Sequence, residues 1–170
     1  PLRVLLFFDY IGNIADIAKI ARLCHKYQSI LMVDNAHGAY LKFLESSAHP
    51  IDLGADIVCD SAHKTLPALT GAAYLHISRT APDFFADYAE NALSVFASTS
   101  PSYLILQSLD AVNGLLHKGL ADRISTSAAR AESLKKRLSE HGYTLVSQEP
   151  LKLTICPKAY GYTGTRLAQI

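Results

Sequence analysis

The order of apolar runs constrains this chain more than any other feature. "LRVLLFF" at 2–8 is a continuous apolar run of strand length, as a parallel strand covered on both faces requires. Residues 13–27, "NIADIAKIARLCHKY", repeat apolar positions at Ile14, Ile17, Ala18, Ala21 and Cys24, which is helical spacing. Asn13 is suited to cap that helix. "SILMVD" at 29–34 is a second buried strand. Strand, helix and strand within about 30 residues make a βαβ unit, whose crossover is right-handed. Two more strands follow, "DIVCDS" at 56–61 and "AAYLHIS" at 72–78. The expected fold is therefore α/β, a partial parallel-rich sheet with flanking helices. Read as four parallel strands starting at the first residues, the sheet would leave an exposed edge. The chain also stops at "GYTGTRLAQI", a turn opening another helix, so it reads as a fragment of a longer chain.

Past residue 80 the periodicity becomes helical. "APDFFADYAENAL" (81–93) carries Pro82 in its expected first turn, and the Ser-Pro of "SVFASTSPSY" (94–103) predicts a break. Helices are expected over 102–119 and from Leu120. The latter has one stripe of Leu120, Ile124, Ala128, Ala131, Leu134 and Leu138, with Gly142 as its stop. "YTLVS" (143–147) and "LKLTICP" (151–157) read as strands of a further layer. The expected division is 1–115 as part of a large domain, and 116–170 as connecting helices plus the start of a small C-terminal α/β domain.

Composition narrows the function. Half the residues are apolar (49%), enough for a substantial core, and the net charge of +1 comes without a basic block. A nucleic-acid surface needs clustered cations, so that class is excluded. No apolar run approaches the roughly 18 residues of a membrane span, and the opening is wrongly built for a signal peptide. The expectation is a cytoplasmic protein with no membrane partner. Cys24, Cys59 and Cys156 are too scattered for a disulfide framework, and Cys24 and Cys59 read as buried free thiols. The seven histidines lack ligand spacing, so no metal is expected. His49, His76, His117 and His141 read as surface or internally satisfied residues, and His25 as a favourable charge near a helix end.

In open parallel sheets, ligands bind outside the carboxyl ends of the strands. "VDNAHGAY" puts Asp34 last in one strand, followed by His37 and Gly38, while "CDSAHKT" puts Asp60 and Ser61 at the next strand end, followed by His63 and Lys64. Taken singly, Asp34 has a cap for the next helix as its bland alternative, and Lys64 reads as a solvated side chain. Placed jointly on neighbouring strands, they point into one crevice. A lysine in a semi-apolar crevice can form a Schiff base with an aldehyde, and an aspartate at a strand tip can hold a pyridine nitrogen protonated. Ser61, His63 and Thr65 offer donors for a phosphate, and His37 could lie against a ring or move protons.

"VDNAHGAYLKF", "GADIVCDSAHKTLPALTGAAYLHIS", "STSPSYLILQSLDA" and "PLKLTICPKAYGYTG" together resemble the major domain of the Orn/Lys/Arg decarboxylase family. The resemblance implies a pyridoxal 5'-phosphate enzyme of the aspartate-aminotransferase fold (fold type I). It implies that Lys64 carries the cofactor covalently, that Asp34 pairs with the pyridine nitrogen and that His37 lies close to the ring, with Lys64 and His37 as the catalytic pair. Ser61 and His63 match phosphate contacts. Thr99 and Ser100 match a segment that approaches a partner subunit's cofactor in a homodimer or higher homo-oligomer. The implied reaction is decarboxylation of arginine, lysine or ornithine to the amine, as in polyamine biosynthesis. An aminotransferase, a carbon–sulfur lyase and a non-catalytic fragment of the same fold are the alternatives. Phe7 and Phe8 stand where the family has a Ser/Thr-Pro pair, and would alter the pocket rim. The upstream phosphate cradle and ring-stacking residue of the family have no counterpart in these residues, so the 170-residue chain alone is expected to be inactive.

Overall fold

The computed structural model describes residues 4–8, 14–97 and 100–170, with the first of these segments as backbone only. The expectations that Asn13 caps a helix, that Phe7 and Phe8 shape a pocket rim and that Thr99 contacts phosphate lie outside the described residues or side chains.

The βαβ unit forms as the apolar runs require. Strand β1 (Val4–Phe8), helix α1 (Ile17–Lys26) and strand β2 (Ile30–Asp34) lead to β3 (Ile57–Asp60). The three strands pair in parallel in the order β1-β2-β3, with Phe8 opposite Asp34 and Asp34 opposite Cys59. Helix α1 starts later than expected, because Asp16 is its cap: Asp16 Oδ1 accepts the Lys19 N–H at 3.0 Å. Its inner face of Ile17, Ala21 and Cys24 packs on Leu31, Val33 and Val58. Leu31 and Val58 are fully buried, each such side chain stabilising by about 1.5–3 kcal/mol.

Strand β4 (Tyr74–Ile77) corrects the expectation of a fourth parallel strand, since it runs antiparallel to β3. Residues 61–73 contain only one helical turn, α2 (Ala62–Thr65), in place of a crossover helix long enough to return the chain to the other end of the sheet. The chain therefore doubles back beside β3, with Asp60 opposite Tyr74.

Helix α3 (Phe84–Phe96) begins beyond Pro82, which precedes it. Helix α4 (Tyr103–Leu115) and helix α5 (Ala121–Glu140) are separated by a wide turn in which Gly119 takes φ +85°. Gly142 ends α5 as the sequence predicts: at φ +88° it lets its own N–H reach Ser139 O and the Tyr143 N–H reach Leu138 O, both at 3.0 Å. The two expected C-terminal strands reduce to a single bridge, Leu145 to Ile155. Pro150 and the turn closed by Lys152 N–H on Glu149 O (3.2 Å) interrupt the ladder.

A second core joins Tyr40 and Leu41, just after β2, to Leu66, Val112 of α4 and Ile124 of α5. Tyr40 is fully buried, and its hydroxyl donates to Glu149 Oε1 (3.1 Å) while accepting the Leu151 N–H (3.4 Å). Lys152 pairs with Glu149 Oε2, and the buried Lys135 amine donates to Glu149 O, both at 2.6 Å. This network docks residues 149–152 against the segment that follows β2.

Candidate functional site

Two strand ends build the site. The pleat sends Leu31 and Val33 of β2 into the α1 core, and therefore Met32 and Asp34 to the other face. In β3, Val58 points to the core and Cys59, opposite Asp34, shares the Asp34 face. Met32, Asp34, Cys59, Ser61, Lys64 and Ala73 line one open crevice of about 440 Å³ at the carboxyl ends, a volume in the range of small-molecule sites. The expectation that Asp34 and Lys64 share a crevice is met. Cys59 is a correction: it is exposed, while Cys24 is buried. Desolvation, with the Asp34 and Asp60 carboxylates, pushes the Cys59 thiol above its ordinary 9.0.

Asp34 is exposed, and its Oδ1 accepts the Ala36 N–H at 3.0 Å, which turns the chain out of β2. That turn delivers His37, whose Nε2 lies 3.5 Å from Lys64 Nζ. Desolvation first, then the charges of Lys64 and Lys152, lower the His37 pKa below its ordinary 6.5. His37 is therefore a neutral imidazole at neutral pH, able to exchange a proton with its surroundings. A small cleft lined by Asp34, His37 and Glu149 adjoins the crevice.

Ser61 precedes α2 without using its hydroxyl as a helix cap. His63 Nδ1 is 3.0 Å from the Ala72 carbonyl, so that nitrogen carries a proton and donates it. Thr65 Oγ1 is buried with no hydrogen-bond partner among the described residues. Ser100 is exposed.

One group at these strand ends escapes sequence reasoning. Asp60 is buried at 4% exposure, and His49 and His76, 11 and 16 residues away in sequence, both place Nε2 on its Oδ2, at 2.9 and 2.8 Å. Asn35 Nδ2 donates to the other oxygen at 2.7 Å. Burial acts to raise the Asp60 carboxyl, but hydrogen bonds from His49, His76 and Asn35 outweigh it and hold the group at about 2. The nitrogens and oxygen lie close enough together for a cation site. His49 Nδ1, however, accepts the Ile51 N–H at 3.2 Å, so the neutral ring carries its proton on Nε2 and gives it to Asp60. The cluster is a hydrogen-bond hub. His49 and His76 are thus satisfied residues; no periodicity or spacing in sequence links them to Asp60.

The sequence matches the model of the family described as "Orn/Lys/Arg decarboxylase, major domain" over residues 2–156. The chain belongs to this family. It is 36% identical over 176 residues to the uncharacterized protein YaaO of Bacillus subtilis strain 168, covering 95% of this chain and 35% of that protein. It is 30% identical over 168 residues to the arginine decarboxylase of Halalkalibacterium halodurans, covering 91% and 34% respectively. The chain thus spans about a third of the length of these relatives. Its backbone resembles alanine–glyoxylate aminotransferase of Nostoc sp. with a TM-score of 0.70 at 18% identity, over 98% of this chain and 49% of that one. The fold is that of part of a fold type I pyridoxal-phosphate enzyme. Among the described residues no helix is long and apolar enough to cross a membrane.

Proposed function

We propose that the chain forms part of a pyridoxal-phosphate-dependent decarboxylase that converts a basic amino acid to its amine, working within a larger cytoplasmic homo-oligomer. Residues 1–115 would belong to the cofactor-binding large domain, and 116–170 would lead into the small one. The observation that carries this reading is the crevice lined by both Asp34 and Lys64, with His37 Nε2 3.5 Å from the lysine amine. The donor set suits the cofactor: an amine for an aldehyde, a carboxylate for a pyridinium, and the orphaned Thr65 hydroxyl beside Lys64. Membership of the decarboxylase family and the arginine decarboxylases among its relatives favour carbon dioxide loss from a basic substrate.

Bound pyridoxal phosphate supplies a conjugated ring that can accept the electron pair left when carbon dioxide departs. Lys64 would hold the cofactor through its amine, which lies on the crevice. Asp34 would keep the proton on the pyridine nitrogen. Ser61 and His63 would bind the phosphate. His63 Nδ1 is committed to the Ala72 carbonyl, which leaves Nε2 as the nitrogen that would meet the phosphate. His37, neutral and beside Lys64, can accept or return a proton at Nε2. Ser100, and Thr99 beside it, would face the partner subunit.

The test is release of carbon dioxide from arginine, lysine and ornithine by the full-length protein, with absorbance of the cofactor–lysine band in wild type and Lys64→Ala. Release from one of the three, with loss of the band in the variant, is expected. Amino-group transfer without carbon dioxide, or a band that persists in Lys64→Ala, refutes the assignment.

A further inference from the structure

Asn35, next to the proposed ring partner Asp34, grips β3 twice in succession. Its backbone N–H donates to Cys59 O at 2.8 Å, and its side-chain amide donates to Asp60 Oδ1 at 2.7 Å. Asp60 in turn is fixed by His49 from the loop before β3 and by His76 from β4. The hub therefore takes one side chain from each of four stretches, and two of these carry the candidate site: the turn Asp34–His37, and the strand end that runs into Ser61 and Lys64. Gly38 belongs to the same arrangement. Its N–H closes the turn on Asn35 O at 2.8 Å, and a Cβ added at Gly38 would overlap the Asn35 carboxamide. The glycine is thus required so that the Asn35 side chain can lie over it and reach Asp60.

We propose that Asn35 is a positioning residue that, through its bond to buried Asp60, sets the turn carrying Asp34 and His37 at a fixed distance from Lys64. The proposal rests on the assignment of Asp34 and Lys64 to one cofactor. A ligand held at both ends by groups on different strands needs those groups at one spacing, and a small displacement in such a frame is costly. Backbone pairing fixes β2 against β3 only as far as Asn35 N–H. Beyond it, the Asn35–Asp60 bond continues that pairing into the turn. The bond joins a neutral donor to a carboxylate already held by two imidazoles, so it is charge-assisted and buried on one side. Asn35 itself touches no reacting atom in this scheme.

The experiment uses the full-length protein and two readouts. The first needs no cofactor: the His37 ring is titrated by NMR in wild type, Asn35→Ala and Gly38→Ala. The second is the affinity for pyridoxal phosphate by absorbance titration, with borohydride trapping at Lys64 located by mass spectrometry. Asn35→Ala is expected to move the His37 midpoint upward toward its ordinary 6.5 as the turn loosens, relieving first the burial and then the nearness of Lys64 that lower it, and to weaken cofactor binding about tenfold, because the loosened turn no longer holds Asp34 at one spacing from Lys64. Gly38→Ala should act in the same direction. Asn35→Asp, which sets two carboxylates together, should be worse than alanine. The double variant Asn35→Asp/Asp60→Asn reverses donor and acceptor, and should return both readouts to within about threefold of wild type. An unchanged His37 midpoint and affinity in Asn35→Ala overturn the proposal. Failure of the double variant to recover while it unfolds cooperatively like wild type also overturns it, since the bond is then not what matters. If wild type is not trapped at Lys64, the cofactor assignment fails instead, and the His37 titration alone decides the role of Asn35.

Discussion

Asp60 gives the strongest quantitative prediction, because a carboxylate buried at 4% exposure with three hydrogen-bond donors must titrate far from its unfolded value. The folded carboxyl sits at about 2 against an ordinary 3.8. At about 1.4 kcal/mol per pKa unit, that difference is worth about 2 kcal/mol of folding stability. The group's pKa is depressed on folding, so the contribution is fully present above the unfolded value and is lost as pH falls through the folded one. The perturbation is Asp60→Asn, which keeps the shape and removes the charge. Urea unfolding of both proteins is measured at intervals from about pH 5 down to about pH 2. Wild type should lead the variant by the widest margin at the upper end, and the margin should narrow by about 2 kcal/mol on acidification. Added salt should change the margin little, since the carboxylate is shielded from solvent ions. A margin that stays flat across this window, or widens in acid, would refute the claim that His49, His76 and Asn35 stabilise the ionised form.

Two further substitutions test the docking of residues 149–152 and the stop of α5. Tyr40→Phe strands Glu149 Oε1 and the Leu151 N–H without changing volume, and should cost about 1–3 kcal/mol, read as a lower Tm with an unchanged far-UV spectrum. Gly142→Ala places a Cβ where nothing lies within 4 Å but where φ is +88°. Its expected cost of about 1 kcal/mol in thermal unfolding is therefore conformational alone.

The sequence discloses those parts of the fold that depend on neighbours along the chain. The periodicity of 13–27 locates α1, and the apolar runs at 29–34 and 56–61 locate β2 and β3 to within a residue. Even there, the helix begins only at Ile17 with Asp16 as its cap, because an apolar stripe does not say which polar residue begins the helix. The direction of β4 was hidden for a different reason. Strand propensity is symmetric along the chain, and direction depends on whether residues 61–73 hold a crossover helix, which their short turn does not supply. The pairing of Asp34 with Lys64 could be read because both lie at ends of adjacent strands, where topology alone brings them together. The hub around Asp60 could not. His49 lies in a loop and His76 in a strand, and only the folded chain, through the β3–β4 register for His76 and the loop before β3 for His49, brings their rings to one oxygen.

The alternation of β3 explains how these two levels differ. Successive side chains of a strand leave opposite faces, so Cys59 joins Asp34 on the crevice side while Asp60, which also borders that crevice, turns its carboxylate to His49 and His76. An apolar run reads as buried on both faces, and that reading placed Cys59 in the core. The strand end instead carries exposed Cys59 beside Asp34 and, next to it, buried Asp60 at the centre of the polar cluster. Asn35 is the residue through which the two meet, since it follows Asp34 in the chain and its amide reaches Asp60. Chemistry and positioning therefore occupy neighbouring residues, Asp34 with Asn35 and Asp60 with Ser61. A substitution in either member of such a pair must be judged on both readouts before a loss of function is assigned to either role.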